Sequence, residues 1–168
     1  AKFDWDKLNW LNSQVLHEWN KEQLLKALGP LWAEAGWSLP EQNWCLDLTE
    51  LLGPSLTVLK DGVEQARPFF EQPKLEADGL EQLAIEGAKV SLGNLVDQLE
   101  KAAWDGFDKQ QAQQLLTNAA QNAGVKKGVV MKSLRAALLG RLQGPDLITT
   151  WGLLARIRED LNRLRRCL

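Results

Sequence analysis

A cationic helix followed by a glycine-proline turn is the part of this sequence best suited to binding chemistry. Residues 124–147 read GVKKGVVMKSLRAALLGRLQGPDL. Lys132 and Arg135 are three positions apart and therefore share one face of a predicted helix. The apolar positions with helical spacing are Val130, Leu134, Ala137 and Leu138. We expect the two cations to point away from this apolar stripe, toward an anion.

The turn that follows this helix has the residues of a new helix start. Gly144-Pro145 places proline at the first helical position, and Asp146 then lies in the positive first turn. Such a start presents backbone donors outward. Together with the cations it can bind a nucleic-acid backbone and unstacked bases. The alternative is a solvated cationic helix and an ordinary capped turn.

Charge is distributed unevenly along the 168 residues. From Gly124 onward there are ten lysines and arginines against three acids, a net charge of +7, although the whole chain carries only -2. The preceding segment therefore carries -9. This asymmetry favours a polyanionic partner for the basic part.

Composition excludes several other classes of protein. The chain is 45% hydrophobic and 25% charged, which is typical of a soluble globular protein with one core or two small ones. No apolar run of eighteen residues predicts a membrane span, and the first residues lack the pattern of a secretory signal. We therefore expect a cytoplasmic protein that does not bind membranes.

Residues suited to catalysis or metal binding are scarce. Cys45 and Cys167 form neither a CxxC pair nor a zinc spacing, and reduced thiols are expected. The one histidine, His17, falls on the predicted wet face of its helix. Glycine-rich phosphate loops, HEXXH and GxSxG are absent from the sequence. We predict no catalytic residue, no metal site and no cofactor in this segment.

Helical periodicity predicts an all-α protein of two small subdomains. The proline- and charge-bearing stretch 72–79 is the best candidate boundary, giving subdomains 1–76 and 77–168. In the first subdomain we predict four helices. The first helix is capped by Asp4 or Asp6 and carries Leu8, Leu11, Val15 and Trp19. The second follows Asn20 and is disturbed at Gly29-Pro30, and the third runs from Pro40 to Gly53-Pro54. The fourth spans 55–64, and the chain leaves it through Arg67-Pro68-Phe69-Phe70.

In the second subdomain we predict helices over 80–86 and 90–103, then a helix capped by Asp108 and ended by Gly124. Two or three more helices complete the chain. Six of the eight tryptophans lie in the first 44 residues. Base-stacking platforms are one interpretation of them, but tryptophans with helical spacing usually belong to a core, which is the prediction.

Three groups of residues, in order along the chain, resemble the C-terminal region of bacterial glutamyl-tRNA synthetases. The first comprises Phe3, Asp4, Lys7, Leu8, Trp10, Leu11 and Asn12; the second Pro54, Leu59, Lys60 and Ala66-Arg67; the third 124–126, 134–138, Gly140 and Gly144-Pro145. The resemblance covers nearly the whole chain. It implies two helical subdomains, proximal and distal, that form an anticodon-binding helical cage.

The resemblance also implies roles for particular residues. Lys132, Arg135, Gly144, Pro145 and Leu147 occupy the positions that would touch the first two anticodon bases. Some members carry a glutamine at position 132, where a lysine is better suited to a phosphate than to a base edge.

Position 55 separates two kinds of family member. Members that accept only glutamate tRNA tend to have an arginine there, facing the third anticodon base. Ser55 is too short and too neutral for that discrimination. The resemblance therefore implies a non-discriminating, cyanobacterial or plastid-like synthetase that glutamylates both tRNA(Glu) and tRNA(Gln).

The parent enzymes are class I glutamate–tRNA ligases that use ATP and Mg2+. Their HIGH-like and KMSKS-like motifs do not occur in this sequence. The resemblance implies that tRNA and a catalytic domain of the same polypeptide are the partners, in a monomer. An alternative from another class is a helical protein-interaction scaffold that docks through the tryptophan-rich acidic half.

Overall fold

The helices of this protein account for all of its regular secondary structure between residues 5 and 168. The computed structural model describes these residues, apart from the side chains of residue 5 and residues 7–11. The α-helices in this range are α1 (Trp5–Glu18), α2 (Lys21–Glu34), α3 (Gln42–Leu52), α4 (Leu59–Phe70), α5 (Ala77–Leu83), α6 (Ala88–Lys101), α7 (Lys109–Ala123), α8 (Lys127–Leu139), α9 (Leu147–Arg156) and α10 (Asp160–Arg165), with a 3-10 turn at Gly53–Ser55. The all-α prediction is confirmed.

The chain forms two compact units, with the boundary between Glu71 and Gln72. The boundary expected from the sequence, at 76/77, falls inside the second unit. The reason is a contact between residue 76 and the end of α8: the Glu76 N–H donates to the Gly140 carbonyl at 2.7 Å. The stretch that looked like a linker is therefore partly packed.

The first unit is built around aromatic side chains of α2, α3 and α4. Trp32 and Trp44 are buried, and both rings lie 5.4 Å from the ring of Phe70. The Trp32 indole N–H donates to the Gly62 carbonyl at 3.1 Å, so its polar group is satisfied inside the core. The core prediction is confirmed for these two tryptophans. Trp19 and Trp37 are half-exposed, and Trp5 and Trp10 lie outside the described side chains.

Several helix predictions in the first unit need correction. The helix α2 continues through Gly29-Pro30 to Glu34, because burial of Leu28 and Trp32 on either side outweighs one missing backbone donor. Val15 is 52% exposed, whereas its neighbour Leu16 is buried, so Leu16 and not Val15 is the core residue in the last part of α1. The predicted cap at Asp4 and the side chains of Leu8 and Leu11 lie outside what is described.

The fourth helix begins later than the predicted residue 55. Residues 56–58 follow the 3-10 turn, and the Asp61 carboxylate accepts the N–H groups of Thr57 and Val58, each at 3.1 Å, which fixes the start of α4. Arg67-Pro68-Phe69-Phe70 forms the end of α4 instead of leaving it, because burial of Phe69 holds that last turn on the core.

The second unit packs α5 to α10 around leucines and one tryptophan. Trp151 is buried and lies 4.5 Å from the ring of Trp104. The predicted cap of α7 is confirmed, since Asp108 accepts from the N–H groups of Gln110 and Gln111. A charged group also lies within this core: Arg163 is buried and donates to the Leu138 carbonyl at 2.8 Å. This bond ties α10 to the last turn of α8.

Candidate nucleic-acid interface

The predicted cationic face of α8 is present, but its two cations differ in their surroundings. Lys132 is exposed. Arg135 is half-buried, and its Nη1 donates to the Pro145 carbonyl at 2.7 Å. The expectation that both cations point outward is therefore wrong for Arg135. Its guanidinium spans from the helix to the following loop and fixes that loop.

Gly144 permits this close approach. A Cβ atom at residue 144 would lie 2.6 Å from Cδ1 of Leu139 and 3.0 Å from Nη1 of Arg135. Any larger residue would push the loop away from the guanidinium or displace the leucine. Gly144 and Arg135 are thus matched to each other, and the backbone of Gly144 is exposed.

The helix after this loop starts two residues later than predicted. Its N-cap is Asp146, so Pro145 precedes the cap and is not the first helical residue. The Asp146 carboxylate accepts the Thr149 N–H at 3.0 Å and the Thr149 hydroxyl at 2.8 Å. A side-chain cap was the better solution because it satisfies a donor that the proline start would have left to solvent. Leu147 is only 5% exposed and supports the loop from below.

Residues far away in sequence hold the other end of the loop. Gly140 has φ of +78°, and a Cβ there would lie 2.0 Å from the Lys74 carbonyl oxygen. The Asp78 carboxylate accepts the Leu142 N–H at 3.2 Å. The chain from 140 to 147 is thus fixed on one side by α5 and the residues just before it, and on the other side by Arg135.

The electrostatics of the loop favour an anionic ligand of limited charge. Burial lowers the pKa of Arg135, and the nearby Asp146 opposes this effect; the guanidinium remains charged at any physiological pH. The hydrogen bond from the Thr149 backbone lowers the pKa of Asp146, with further contributions from Lys109 and Arg135. Asp146 therefore stays ionised and offsets one cation, while Lys132 and Arg141 are exposed.

Ser55 belongs to the first unit, whereas the other five predicted contact residues belong to the second. It is exposed at the end of the 3-10 turn, where its hydroxyl lies 2.8 Å from the Leu52 carbonyl oxygen. The hydroxyl also contacts Oε1 of Gln65, and the Gln65 amide nitrogen lies 3.4 Å from the Ser55 carbonyl. A side-chain amide thus flanks the position predicted to face a base.

Two residues were missed by sequence reasoning. Gln65 and Asp78 are separated by 10 and 64 positions from the residues that they contact, Ser55 and Leu142. Each contact joins two different segments of the chain, so only folding brings these residues together. The sole signal for Asp78 was its place within the candidate boundary stretch.

The remaining candidates are inert or structural. His17 is exposed, with Nε2 3.1 Å from the Leu56 carbonyl oxygen. Cys45 and Cys167 are free and buried, and burial raises the pKa of both thiols, so neither has the character of a reactive thiolate. Among the described residues, no three His, Cys, Asp or Glu side chains lie close enough together to hold a metal ion. In the same part of the chain, each helix is too short or too polar to span a membrane.

Comparison with known proteins agrees with a basic helical module of this kind. Residues 14–168 match the family described as "Anticodon binding domain". This chain belongs to that anticodon-binding domain family.

Curated relatives share the whole chain but extend well beyond it. A glutamate–tRNA ligase of Prochlorococcus marinus strain MIT 9303 is 81% identical over 168 residues, which is 100% of this chain and 35% of that protein. A glutamate–tRNA ligase of a Synechococcus species, strain CC9605, is 68% identical over 169 residues and is covered to 35% of its length. This chain therefore spans about a third of the curated relatives it matches.

A solved structure has the same fold. The glutamate tRNA ligase of Elizabethkingia meningosepticum, crystallised in complex with its amino acid, superimposes with a TM-score of 0.86 over 99% of this chain and 32% of the other, at 22% identity. At this identity the likeness is one of fold. It agrees with the helical architecture described above.

Proposed function

We propose that this chain is the tRNA anticodon-binding module of a glutamate–tRNA ligase. Its task is to position tRNA(Glu), and also tRNA(Gln), for ATP-dependent glutamylation by a catalytic domain of the same polypeptide. The observation that carries the proposal is the loop 140–147, held rigidly between Arg135 and Asp78 beside an exposed cationic surface. A preorganised loop binds single-stranded bases without a further loss of its own conformational entropy.

Each predicted contact residue has a distinct part in this proposal. Lys132, exposed on α8, neutralises a phosphate. The Gly144 and Pro145 backbone offers polar groups to base edges. The face of the Arg135 guanidinium stacks on an unstacked base, while Nη1 at its edge holds Pro145. Leu147 contributes mainly as the buried support of the loop, because so little of its surface is accessible.

The first unit contributes the contact to the third anticodon base. That base is cytosine in tRNA(Glu) and guanine in tRNA(Gln), and the pair Ser55 and Gln65 would face it. A carboxamide carries both a donor and an acceptor and can reverse by rotation, so Gln65 is able to pair with either base. This property supports acceptance of both tRNAs and hence a non-discriminating synthetase.

The parent protein would carry out its chemistry outside this segment. We propose that ATP, Mg2+ and glutamate bind to the remainder of a monomeric, cytoplasmic class I synthetase, and that no residue of 1–168 is catalytic. The scaffold alternative is set aside, because residues 14–168 match a family of nucleic-acid-reading domains.

Binding to three anticodon stem-loops over a salt series tests this function. The RNAs carry the glutamate, the glutamine and one unrelated anticodon. We expect similar affinity for the first two and at least about tenfold weaker binding of the third, since base contacts are worth about 1–3 kcal/mol each. Equal affinity for all three at every salt concentration would reduce the module to a basic surface.

Ser55→Arg tests the predicted loss of discrimination at the third base. The longer, bidentate side chain should weaken binding of the glutamine stem-loop by about tenfold relative to the glutamate stem-loop. Ser38→Arg, at an exposed position of the same unit, adds the same charge and should change both affinities equally. If Ser55→Arg also acts equally on both RNAs, residue 55 does not read the third base.

A further inference from the structure

A cavity in the second unit lies outside the predicted anticodon contacts. It has a volume of about 540 Å3 and opens between the end of α6 and the turn that joins α9 to α10. Ligand sites of nucleotide size commonly have volumes of about 300–1,000 Å3. Its lining combines apolar side chains with two cations and two acids: Leu99, Ala103, Trp104, Ala155, Leu161, Arg156, Arg158, Asp105 and Asp160.

Arg158 at the rim has a backbone conformation that normally selects glycine. Its φ is +59°, and among the described residues no other non-glycine residue has a positive φ. The Arg158 N–H donates to the Ala155 carbonyl at 3.0 Å, and the Glu159 N–H donates to the Leu154 carbonyl at 2.9 Å. These two bonds end α9 with Arg158 in the left-handed conformation. A side chain is thus kept where glycine would fit with less strain.

The Arg158 side chain has no structural role that accounts for this strain. It is exposed, and its guanidinium forms neither a hydrogen bond nor an ion pair with the residues that the structure describes. The helix ending accounts for the positive φ, so what a ligand would explain is the choice of arginine over glycine on the rim of a cavity. A guanidinium in this place is suited to a phosphate group.

The rest of the cavity is suited to a flat, polar-edged group. Trp104 forms a wall whose orientation is fixed, because its indole N–H donates to the Asp108 carbonyl at 2.9 Å. At the mouth, the Arg156 guanidinium lies 4.4 Å from the centroid of Phe107, whose ring is 62% exposed. Asp160, 5% exposed, supplies a carboxyl group that can pair with the ring N–H or amino group of a base.

We propose that this cavity binds one unstacked nucleotide of the bound RNA, with its base beside Trp104 and its phosphate on Arg158. The proposal rests on the proposed function, because it takes the ligand to be RNA. The nucleotide lies outside the anticodon triplet, since the triplet is assigned to other residues. The excess of basic residues in this half of the chain supports an RNA ligand.

Two variants of the full chain test the proposal against a tRNA(Glu) transcript. Arg158→Gly removes the cation and relieves the strained backbone, so the melting temperature should rise while RNA binding weakens by about tenfold, the usual effect of losing a charged phosphate contact. Leu161→Trp fills the cavity without a change of charge and should weaken binding to a similar degree. Lys89→Ala, an exposed cation of α6, is the matched control and should change affinity by no more than about twofold.

The pattern across these variants decides the outcome. Weaker binding for both Arg158→Gly and Leu161→Trp supports a nucleotide site. Weaker RNA binding for neither variant would overturn the proposal. Weaker binding for Arg158→Gly alone would also overturn it and leave only a surface phosphate contact. Weaker binding for Leu161→Trp alone would overturn the assignment of the phosphate to Arg158. If the unaltered chain shows no preference for cognate stem-loops, the proposed function fails first, and the two failures are thereby distinguished.

Discussion

At the scale of single residues, Arg135 shows how a residue proposed for recognition also serves the structure. Its spacing from Lys132 made it look like a second surface cation. The structure uses it to hold the Pro145 carbonyl at 2.7 Å. A charged donor is the stronger partner for a loop carbonyl, which explains why the loop can be rigid while lacking secondary structure.

Arg135→Lys separates these two roles. Lysine keeps the charge but lacks the planar fork that reaches Pro145, so we expect about tenfold weaker binding of cognate stem-loops and unchanged binding of unrelated RNA. Lys132→Arg also preserves charge and should stay within about twofold, because Lys132 is exposed. Equal losses for the two variants in a titration would mean that Arg135 acts only as a charge.

Asp160 gives a pH-dependent prediction at the same scale. Burial raises its pKa, opposed in part by hydrogen bonds from the Leu161 backbone and the Trp151 indole. When the pKa of a carboxyl is higher in the folded state than in the unfolded state, its protonated form favours folding. This contribution is complete below the unfolded pKa of about 3.9, and it is lost as the pH rises through the pKa of the folded state. Once it is ionised, the buried Asp160 carboxylate therefore opposes folding.

Asp160→Asn should therefore raise the melting temperature at pH 7. Asparagine can still accept the Trp151 indole N–H, which Asp160 holds at 3.2 Å, while it removes the buried charge. The gain should shrink as pH falls and vanish near pH 4. Asp97→Asn, at an exposed position of α6, should show no such trend in thermal melts. A gain for Asp160→Asn that is independent of pH would assign the effect to packing.

At the scale of elements, α5 acts as the support of the loop that follows α8. Its first turn supplies Asp78 to the Leu142 N–H, and Gly79 approaches so closely that a Cβ there would lie 2.3 Å from the Gly140 carbonyl oxygen. An acidic residue beside a proposed RNA surface is electrostatically unfavourable for binding. Asp78 lies there because its carboxylate holds the Leu142 N–H and so positions the loop.

Asp78→Ala distinguishes positioning from electrostatics by the sign of its effect. Removing a negative charge alone would tighten binding of every RNA. Losing the acceptor for the Leu142 N–H should instead weaken cognate binding severalfold, with a cost of about 1–3 kcal/mol for the unpaired amide. Glu81→Ala removes the same charge from an exposed position of α5 and should not weaken binding. Asp78→Asn, which keeps an acceptor, should restore cognate affinity.

At the scale of the whole molecule, the two compact units have cores of their own, one centred on Trp32 and Trp44 and the other on Trp151. Separate cores allow separate stabilities. A substitution that strains one unit should therefore leave the amides of the other unit protected.

Gly140→Ala tests this independence. The new Cβ would meet the Lys74 backbone at a residue with positive φ, so we expect a loss of about 2–4 kcal/mol. Hydrogen exchange should speed up in α5 and α8, whereas α3 should be unchanged. Gly128→Ala, exposed in α8 with nothing within 4 Å, should stabilise by about 0.5–1 kcal/mol. Faster exchange in both units would show that they unfold together.

The sequence by itself determined the helical class, both ends of α7 and the cationic segment. These features depend on local chemistry: Asp108 and Gly124 satisfy or end a helix through neighbours within a few positions, and apolar spacing follows the helical period. The resemblance to synthetases likewise depended on short runs of residues, and membership of the anticodon-binding family confirmed it.

Only the tertiary structure decided how those parts are used. Pro30 within α2, the start of α4 and the role of Arg135 each depend on burial or on partners from other elements. Asp78 contacts a backbone group 64 positions away, and Arg158 stands beside a cavity formed by separate helices. Contacts of this kind leave no period in a sequence, because their energy comes from surfaces that meet only after the chain has folded.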